Sequence, residues 1–320
     1  MDKLLELKLF RYIYGHSNDW DVMPSESPDF ICIRNHKPIL GVEVTELYRN
    51  ESDARLKNIN GYAATLLKGG NYVHKDDKGN IRVDRVKYIK KDEKDGREIN
   101  AIIQEVPGFN EKIALLIKAI EGKKKNVDSY LRLCPEVDLI INDASRIFRF
   151  DKFENFFIPF SRLIKTSTII SSQFREIFLI TSNKERLTVK IPLKLNLFAQ
   201  DINIFEKLVL NSIALKETDK NQAFKILFYC LYKSGYKDIS VTTIDGCIGL
   251  SIGSHQYLYS KKSKNIRDCS RIPEQLPKGQ FIDKLINKLG ESEKYNAKKI
   301  LKERSNYNCR LELFFEVEKN

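Results

Sequence analysis

Residues 26–46 form the stretch ESPDFICIRNHKPILGVEVTE, in which two apolar runs flank the polar connection RNHKP. Two apolar runs joined by a short polar connection predict a β-hairpin. One acid, Asp29, stands where the first predicted strand begins, and a second acid, Glu43, stands inside the second predicted strand. The pattern therefore predicts two carboxylates on neighbouring strands of one sheet.

The two acids have the chemistry of a metal site. Because side chains alternate between the faces of a strand, Glu43 and Thr45 are expected to share one face, with the adjacent valines on the other. A carboxylate in so apolar a strand needs a metal ion or a basic side chain as its partner. Two carboxylates and the backbone oxygen between Glu43 and Thr45 would offer magnesium an all-oxygen site. Such an ion lowers the pKa of a bound water and neutralises charge that builds on a phosphate oxygen.

The segment SPDF followed by GVEVTE resembles the active-site hairpin of the PD-(D/E)xK nuclease superfamily. In that superfamily a proline and an aspartate begin one core strand, and an acid-x-lysine triplet lies on the next. Pro28 and Asp29 match the first pair, Glu43 matches the second acid, and Thr45 stands at the position of the lysine. The resemblance implies an α/β, restriction-endonuclease-like mixed sheet flanked by helices. It also implies that Asp29 and Glu43 bind Mg²⁺ (or Mn²⁺) for phosphodiester hydrolysis.

A helix predicted for residues 110–131 offers a lysine that could replace the one absent at position 45. Position 124 fills the gap in an apolar stripe formed by Ile113, Ile117, Ile120, Val127 and Leu131. This phase predicts that Lys124 faces the sheet while Lys123 and Lys125 point elsewhere. Some branches of the superfamily supply the active-site lysine from this helix, so Lys124 is the candidate catalytic cation, with Lys57 as the alternative.

The order of elements along residues 1–187 agrees with the same resemblance. An amphipathic helix at 3–14, the hairpin, the helix at 110–131 and an apolar strand at 137–142 follow the superfamily order of helix, strands, helix and strand. A basic hairpin inserted at about 71–107 could follow a phosphate backbone, although its acids offset much of its charge.

Composition indicates the kind of partner. The chain has 320 residues, a net charge of +12 and a pI near 9.2, which favours nucleic acid first and a membrane surface second. The charged N-terminus and the lack of a long apolar run predict neither a signal peptide nor a membrane span. Six scattered cysteines without a C-x-x-C pair predict a reduced, cytoplasmic protein without structural zinc.

Residues 188–320 are predicted to form a second, α+β domain, and they resemble no family that we recognise. Within them, residues 260–310 carry fourteen Lys or Arg against six Asp or Glu. The predicted nucleic-acid contact is a patch made of Lys261, Lys262, Lys264 and Arg267. A solvated loop explains the same patch equally well. The C-terminal domain is therefore expected either to recognise nucleic acid or to mediate assembly.

The sequence as a whole predicts a cytoplasmic, metal-dependent endonuclease, with DNA favoured over RNA and a homodimer as the default state. A role in host defence or restriction follows by analogy alone. The alternative is a nuclease-like domain that has lost its chemistry at Thr45 and acts as a nucleic-acid-binding or partner-docking module.

Overall fold

The structure is a computed structural model, and it describes most of the chain. The described residues are 2–16, 20–88, 96–150, 160–161, 166–183, 187–212, 220–236, 239–244, 247–252, 255–260, 265–268, 280–281, 289–304 and 316–317.

Helices and strands are mixed along the described chain. The strands are β1 (Asp21–Pro24), β2 (Phe30–Arg34), β3 (Lys37–Glu46), β4 (Arg82–Tyr88), β5 (Arg97–Ile103), β6 (Val137–Asn142), β7 (Ile177–Ser182), β8 (Thr188–Pro192), β9 (Ile239–Ile244), β10 (Cys247–Ile252), β11 (His255–Ser260), β12 (Asn265–Asp268), β13 (Gln280–Phe281) and β14 (Glu316–Val317). The helices are α1 (Lys3–Tyr14), α2 (Glu51–Asn58), α3 (Tyr62–Leu67), α4 (Asp77–Asn80), α5 (Phe109–Lys124), α6 (Val127–Tyr130), α7 (Thr166–Ile170), α8 (Leu193–Ser212), α9 (Lys220–Lys233) and α10 (Glu291–Glu303).

A mixed sheet forms the centre of the molecule, with strand order β1-β2-β3-β6-β7-β8-β14. Neighbouring strands from β3 through β6 to β7 run parallel, and the other neighbours in this sheet are antiparallel. The parallel strands β6 and β7 are almost entirely buried, as their nearly continuous apolar sequences require. The predicted α/β class, a mixed sheet flanked by helices, is confirmed.

Helices cover the central sheet on its two faces. On one face α1 packs against β2 and β3 through a core that includes Leu9, Phe10, Ile13, Phe30, Val42 and Val44. On the other face α5 packs against β6 and β7 through a core that includes Ile113, Leu116, Ile120, Leu139, Ile141 and Leu179. Residues that alternate along β3 therefore face different helices, and Glu43 lies on the side opposite to Val42 and Val44.

The hairpin predicted at 26–46 is confirmed as β2 and β3. Asn35 and His36 form its two-residue loop, and both have positive φ angles, 50° and 61°. Positive φ at both central positions is the geometry of the tight turn whose twist matches that of the two strands. The turn pairs Arg34 with Lys37, and a β-bulge between Cys32 and Ile33 then shifts the pairing by one residue, so that Ile31 pairs with Gly41 and Phe30 with Val42.

A network of buried polar groups joins α1, β6 and the start of β7. The carboxylate of Asp138 is fully buried, and its Oδ1 accepts hydrogen bonds from Arg175 Nε and from the backbone amide of Glu176, both at 2.9 Å. Its Oδ2 accepts from Arg175 Nη2 and from the Tyr14 hydroxyl, both at 2.5 Å. Burial alone would lower the pKa of Arg175, but Asp138 holds it well above its usual value. The network fixes the helix and the two strands relative to one another.

Residues 51–67 form two short helices, because α2 ends at Asn58 and α3 begins only after Gly61, which has a left-handed φ of 74°. The helix predicted across 110–131 also proves to be two helices. Its regular part, α5, ends at Lys124, and the short helix α6 follows at Val127.

The hairpin inserted before α5 is confirmed as the separate two-stranded ribbon β4-β5. One face of the ribbon packs on α3, where Val83 and Ile102 contact the buried residues Tyr62, Leu66 and Ile81. The tip of the ribbon, residues 89–95, lies outside the described residues.

The central sheet continues beyond residue 187, where the sequence places a domain boundary. The first strand after that position, β8, pairs antiparallel with β7, and β14 pairs with β8 in turn. The division at 187/188 stays a prediction. Helices α8, α9 and α10 share a buried core, and strands β9 to β13 form an antiparallel sheet in the order β12-β11-β10-β9-β13.

Candidate active site

The two predicted metal ligands lie side by side on the β2-β3 hairpin. Asp29 directly precedes Phe30, the first residue of β2, which pairs with Val42 next to Glu43. The negative charge of Asp29 acts on the Glu43 carboxyl, which shows that the two acids are close. Asp29 Oδ2 accepts a hydrogen bond of 2.8 Å from the backbone amide of Val44, which anchors the first carboxylate next to the second. Both side chains are buried, with 9% of Asp29 and 4% of Glu43 exposed.

A close contact behind the two acids explains the glycine in GVEVTE. A Cβ atom at Gly41 would lie 2.9 Å from Pro28 Cγ and 3.3 Å from Cys134 Sγ. The missing side chain therefore lets Pro28 pack directly against β3, which brings Asp29 beside Glu43.

The lysine that contacts Glu43 is Lys123. Its Nζ donates a hydrogen bond of 2.5 Å to Glu43 Oε1. Lys124 instead pairs with Glu121 at 3.7 Å, one turn back on the same helix. The prediction that Lys124 is the lysine facing the two acids is therefore wrong, and Lys123 occupies that position.

The correction follows from the phase of α5. The sequence offers Leu116 and Ile117 as adjacent apolar residues, and the prediction took Ile117 as part of the buried stripe. In the structure Leu116 is fully buried and Ile117 only partly. The buried stripe consequently passes through Ile113, Leu116 and Ile120, and its next position, three residues on, is Lys123.

The alternative lysine, Lys57, belongs to a different group of charges. The carboxylates that act on it are those of Asp53, Asp143 and Glu46, near the carboxyl ends of β3 and β6. Its Nζ also lies 5.8 Å from the centre of the Tyr48 ring. Partial burial lowers the pKa of Lys57 despite these acids.

A second lysine, which the sequence reasoning missed, contacts Asp29. Lys3, at the start of α1, donates hydrogen bonds of 3.0 Å to Asp29 Oδ1 and to the backbone oxygen of Ser25. Its Nζ also lies 3.0 Å from Glu6 Oε2. Lys3 and Glu6 are one turn apart on α1, but no local pattern indicates that this turn reaches a residue 26 positions away.

Burial and charge act against each other at Glu43. Burial raises the pKa of this carboxyl above its usual value, and the negative charge of Asp29 acts in the same direction. Lys123 and the adjacent Tyr130 hydroxyl oppose the rise without cancelling it. Burial alone would lower the pKa of Lys123, but Glu43 outweighs it and the pKa is raised.

The free oxygen of Glu43 provides a test of whether a divalent cation fits this site. Oε2 is buried and accepts no hydrogen bond of ordinary geometry from the described residues, although the Tyr130 hydroxyl is near enough to this carboxyl to lower its pKa. A buried carboxylate oxygen without a donor is costly, and a hard cation would satisfy it. No cluster of three or more His, Cys, Asp or Glu side chains suited to a metal occurs within the described part of the chain. A divalent ion at Asp29 and Glu43 would have two carboxylate ligands, and backbone oxygen and water would have to supply the others, as they do in many magnesium sites.

Thr45 keeps the position that the alternation of β3 assigns to it. It is half-buried, lies two residues after Glu43 on the same face, and pairs with Ile141 of β6. Its hydroxyl carries no charge, so the positive charge near the acids comes from Lys3 and Lys123.

The predicted nucleic-acid patch falls almost entirely on residues that the structure leaves out. Lys261, Lys262 and Lys264 lie outside the described residues, and Arg267 is described only as part of the backbone of β12. Its proposed contact with nucleic acid stays a prediction.

Among the described residues, no helix is both long and apolar enough to cross a membrane. Comparison of the chain with family models, with curated proteins and with solved structures finds no match.

Proposed function

We propose that this protein is a metal-dependent nuclease of the PD-(D/E)xK type, which hydrolyses phosphodiester bonds at the site formed by Asp29, Glu43 and Lys123. The observation that carries the proposal is that two buried carboxylates of one β-hairpin lie close together and that a lysine from α5 contacts one of them. Glu43 keeps a buried oxygen that accepts no hydrogen bond of ordinary geometry from the described residues, and its other oxygen receives Lys123 at 2.5 Å.

Each residue has a definite part in this proposal. Asp29 and Glu43 would hold Mg²⁺ or Mn²⁺, which activates water and neutralises phosphate charge when it is bound. Lys123 takes the role of the lysine missing at Thr45, because its ammonium reaches the same carboxylate from α5. A positive charge held there stabilises negative charge that develops on a phosphate oxygen. Thr45, on the same face of β3, can position a water molecule but adds no charge.

The order of elements supports the same family. α1, the strands β1 to β3, helix α5 and strand β6 follow one another in the superfamily order, with the ribbon β4-β5 and its helices inserted between β3 and α5. A net charge of +12 suits a polyanionic substrate. We propose DNA as this substrate, a homodimer as the working state, and a cytoplasmic role in host defence or restriction.

A binding module without catalysis is the second candidate. Thr45 and the ion pair between Lys3 and Asp29 favour it, because a cation bound by Asp29 has to compete with a lysine that is already in contact. In that function Asp29 and Glu43 would serve only to hold the hairpin and α1 together.

Cleavage assays separate the two functions. Purified full-length protein is incubated with duplex DNA, single-stranded DNA and RNA in the presence of Mg²⁺ or Mn²⁺. We expect cleavage by the wild type, loss of cleavage in Asp29→Asn and Glu43→Gln, and unchanged cleavage in Glu26→Gln, which alters an exposed acid of the same segment. Binding of nucleic acid without cleavage, by wild type and variants alike, would support the binding module instead.

A further inference from the structure

Lys3 is surrounded by oxygen atoms in a manner that resembles a bound cation. Its Nζ lies 3.0 Å from Asp29 Oδ1, 3.0 Å from the backbone oxygen of Ser25 and 3.0 Å from Glu6 Oε2. An ammonium group has three donors and no acceptor; two of its donors form hydrogen bonds here, to Asp29 and Ser25, and Glu6 forms an ion pair with the same group. Two of these oxygens are carboxylate oxygens, which are also ligands of hard divalent cations.

The contact occupies one of the two oxygens that Asp29 can offer to a metal. Asp29 Oδ2 accepts from the backbone of Val44, within the central sheet, and Oδ1 accepts from Lys3. The two donors differ in freedom. The Val44 amide is fixed in β3, whereas the side chain of Lys3 is 46% exposed and flexible enough to leave.

The ammonium of Lys3 stays charged at neutral pH. Lysine is protonated at neutral pH unless it is deeply buried, and the Lys3 side chain is 46% exposed. A divalent cation approaching Asp29 would therefore meet both a competitor for Oδ1 and the repulsion of a like charge.

We propose that Lys3 is a tethered competitor of the divalent cation: it occupies Asp29 until the metal displaces it, and it thereby weakens the affinity of the site. This inference rests on the proposed function, since it presupposes that Asp29 and Glu43 bind a divalent cation. It adds that the first turn of α1 sets the concentration of divalent cation at which the site is filled. Displacement of Lys3 would also free its ammonium to meet a phosphate of the substrate.

Removal of the competing charge provides the test. Mn²⁺ binding to the full chain is followed by the electron paramagnetic resonance signal of free Mn²⁺, with no nucleic acid present. We expect Lys3→Met and Lys3→Gln to bind Mn²⁺ about tenfold more tightly than the wild type, and Lys3→Arg to stay close to it. Lys8→Met is the matched control, because Lys8 is an exposed lysine on the same helix and its loss changes the net charge equally. Its affinity is expected to stay within about twofold of wild type.

The outcomes separate this inference from the function on which it rests. Equal or weaker Mn²⁺ binding by both Lys3→Met and Lys3→Gln overturns the inference alone. An equal gain in Lys8→Met overturns it as well, because a general change of charge would then explain the effect. Failure of the wild type and of every variant to bind Mn²⁺ overturns the metal site and the inference together. The shift of the melting temperature on addition of Mn²⁺ gives a second measure of binding and shows that each variant is folded.

Discussion

Asp138 and Glu43 are buried acids on neighbouring strands of the same sheet, but their surroundings differ. Asp138 is completely buried and accepts four hydrogen bonds, so that both of its oxygens have donors. Glu43 is 4% exposed, and its Oε2 accepts no hydrogen bond of ordinary geometry from the described residues. A fully satisfied buried carboxylate stabilises the fold, whereas an incompletely satisfied one retains the capacity to bind something else. The comparison indicates that Asp138 is structural, and it supports the proposal that Glu43 belongs to an active site.

The largest effect on stability is expected where the buried network is broken. Arg175→Leu leaves the Asp138 charge buried without its main partner, which should lower the free energy of unfolding by about 3–5 kcal/mol. Urea denaturation measures this change. Arg132→Leu, which alters an exposed arginine, should stay within about 0.5 kcal/mol of wild type. A similar loss of unfolding free energy in both variants would mean that the buried network stabilises the fold no more than an exposed arginine does.

Substitution of Lys123, at the proposed active site, should have the opposite effect from substitution of Arg175. We expect a large loss of activity and a small loss of stability. Lys123→Met removes the positive charge beside Glu43 and should reduce the cleavage rate about 10²–10³-fold. Because the Lys123 side chain is 30% exposed, its ion pair contributes less to stability than the pair formed by Arg175. The measurement is the rate of DNA cleavage at saturating Mg²⁺.

Lys124→Met is the control for this variant, since Lys124 is the adjacent lysine and pairs with Glu121 instead. We expect it to cleave at the wild-type rate. A loss confined to Lys124→Met would restore the original assignment from sequence and contradict the contact seen in the structure.

At Gly41, the lack of space for a side chain should affect the free energy of unfolding more than the conformational freedom of glycine does. Gly41→Ala places a Cβ atom 2.9 Å from Pro28 Cγ, so the hairpin must shift, at a cost of about 1–3 kcal/mol in the free energy of unfolding. Gly122→Ala, on α5, meets no atom within 4 Å and should stabilise the helix by about 0.5–1 kcal/mol. Opposite signs for the two substitutions in thermal denaturation would support this account, and two losses of equal size would not.

The smallest expected effect concerns pH. Burial raises the pKa of Glu43, so its protonated form persists to higher pH than that of an ordinary glutamate, and the proton competes with a divalent cation. Mn²⁺ affinity should therefore increase as the pH rises above about 4.5, by at most about tenfold per pH unit, and level off once Glu43 is ionised. Isothermal titration calorimetry at several pH values measures this. An affinity that falls with rising pH would exclude proton competition at Glu43.

The sequence was sufficient to predict the hairpin and the two acids that it carries. The alternation of side chains fixes which residues of β3 share a face, but the β-bulge between Cys32 and Ile33 shifts the pairing by one residue relative to the turn at Asn35 and His36, and no local pattern predicted that shift. The phase of α5 was harder to predict, because successive helical residues differ by only about 100° and both Leu116 and Ile117 are apolar. Which of the two faces the sheet depends on the packing of α5, and that choice moves the lysine from one position to the next.

Contacts between distant segments were beyond the reach of the sequence. Lys3 meets Asp29 only because α1 packs across β2 and β3, and no periodicity encodes that geometry. The pairing of β8 with β7 is of the same kind, since a short strand after residue 187 suits either the central sheet or a separate domain. Local sequence patterns thus predicted the helices, the strands and the two acids. Which lysines contact these acids depends on tertiary packing.

The central claim is that Asp29 and Glu43 share one divalent cation, and a crystal soaked in Mn²⁺ tests it most directly. Anomalous scattering should place a manganese peak about 2.1 Å from an oxygen of each carboxylate, with Lys3 moved away from Asp29. An ordered, well-diffracting site without such a peak, and with Lys3 still in contact with Asp29 Oδ1, would contradict the claim.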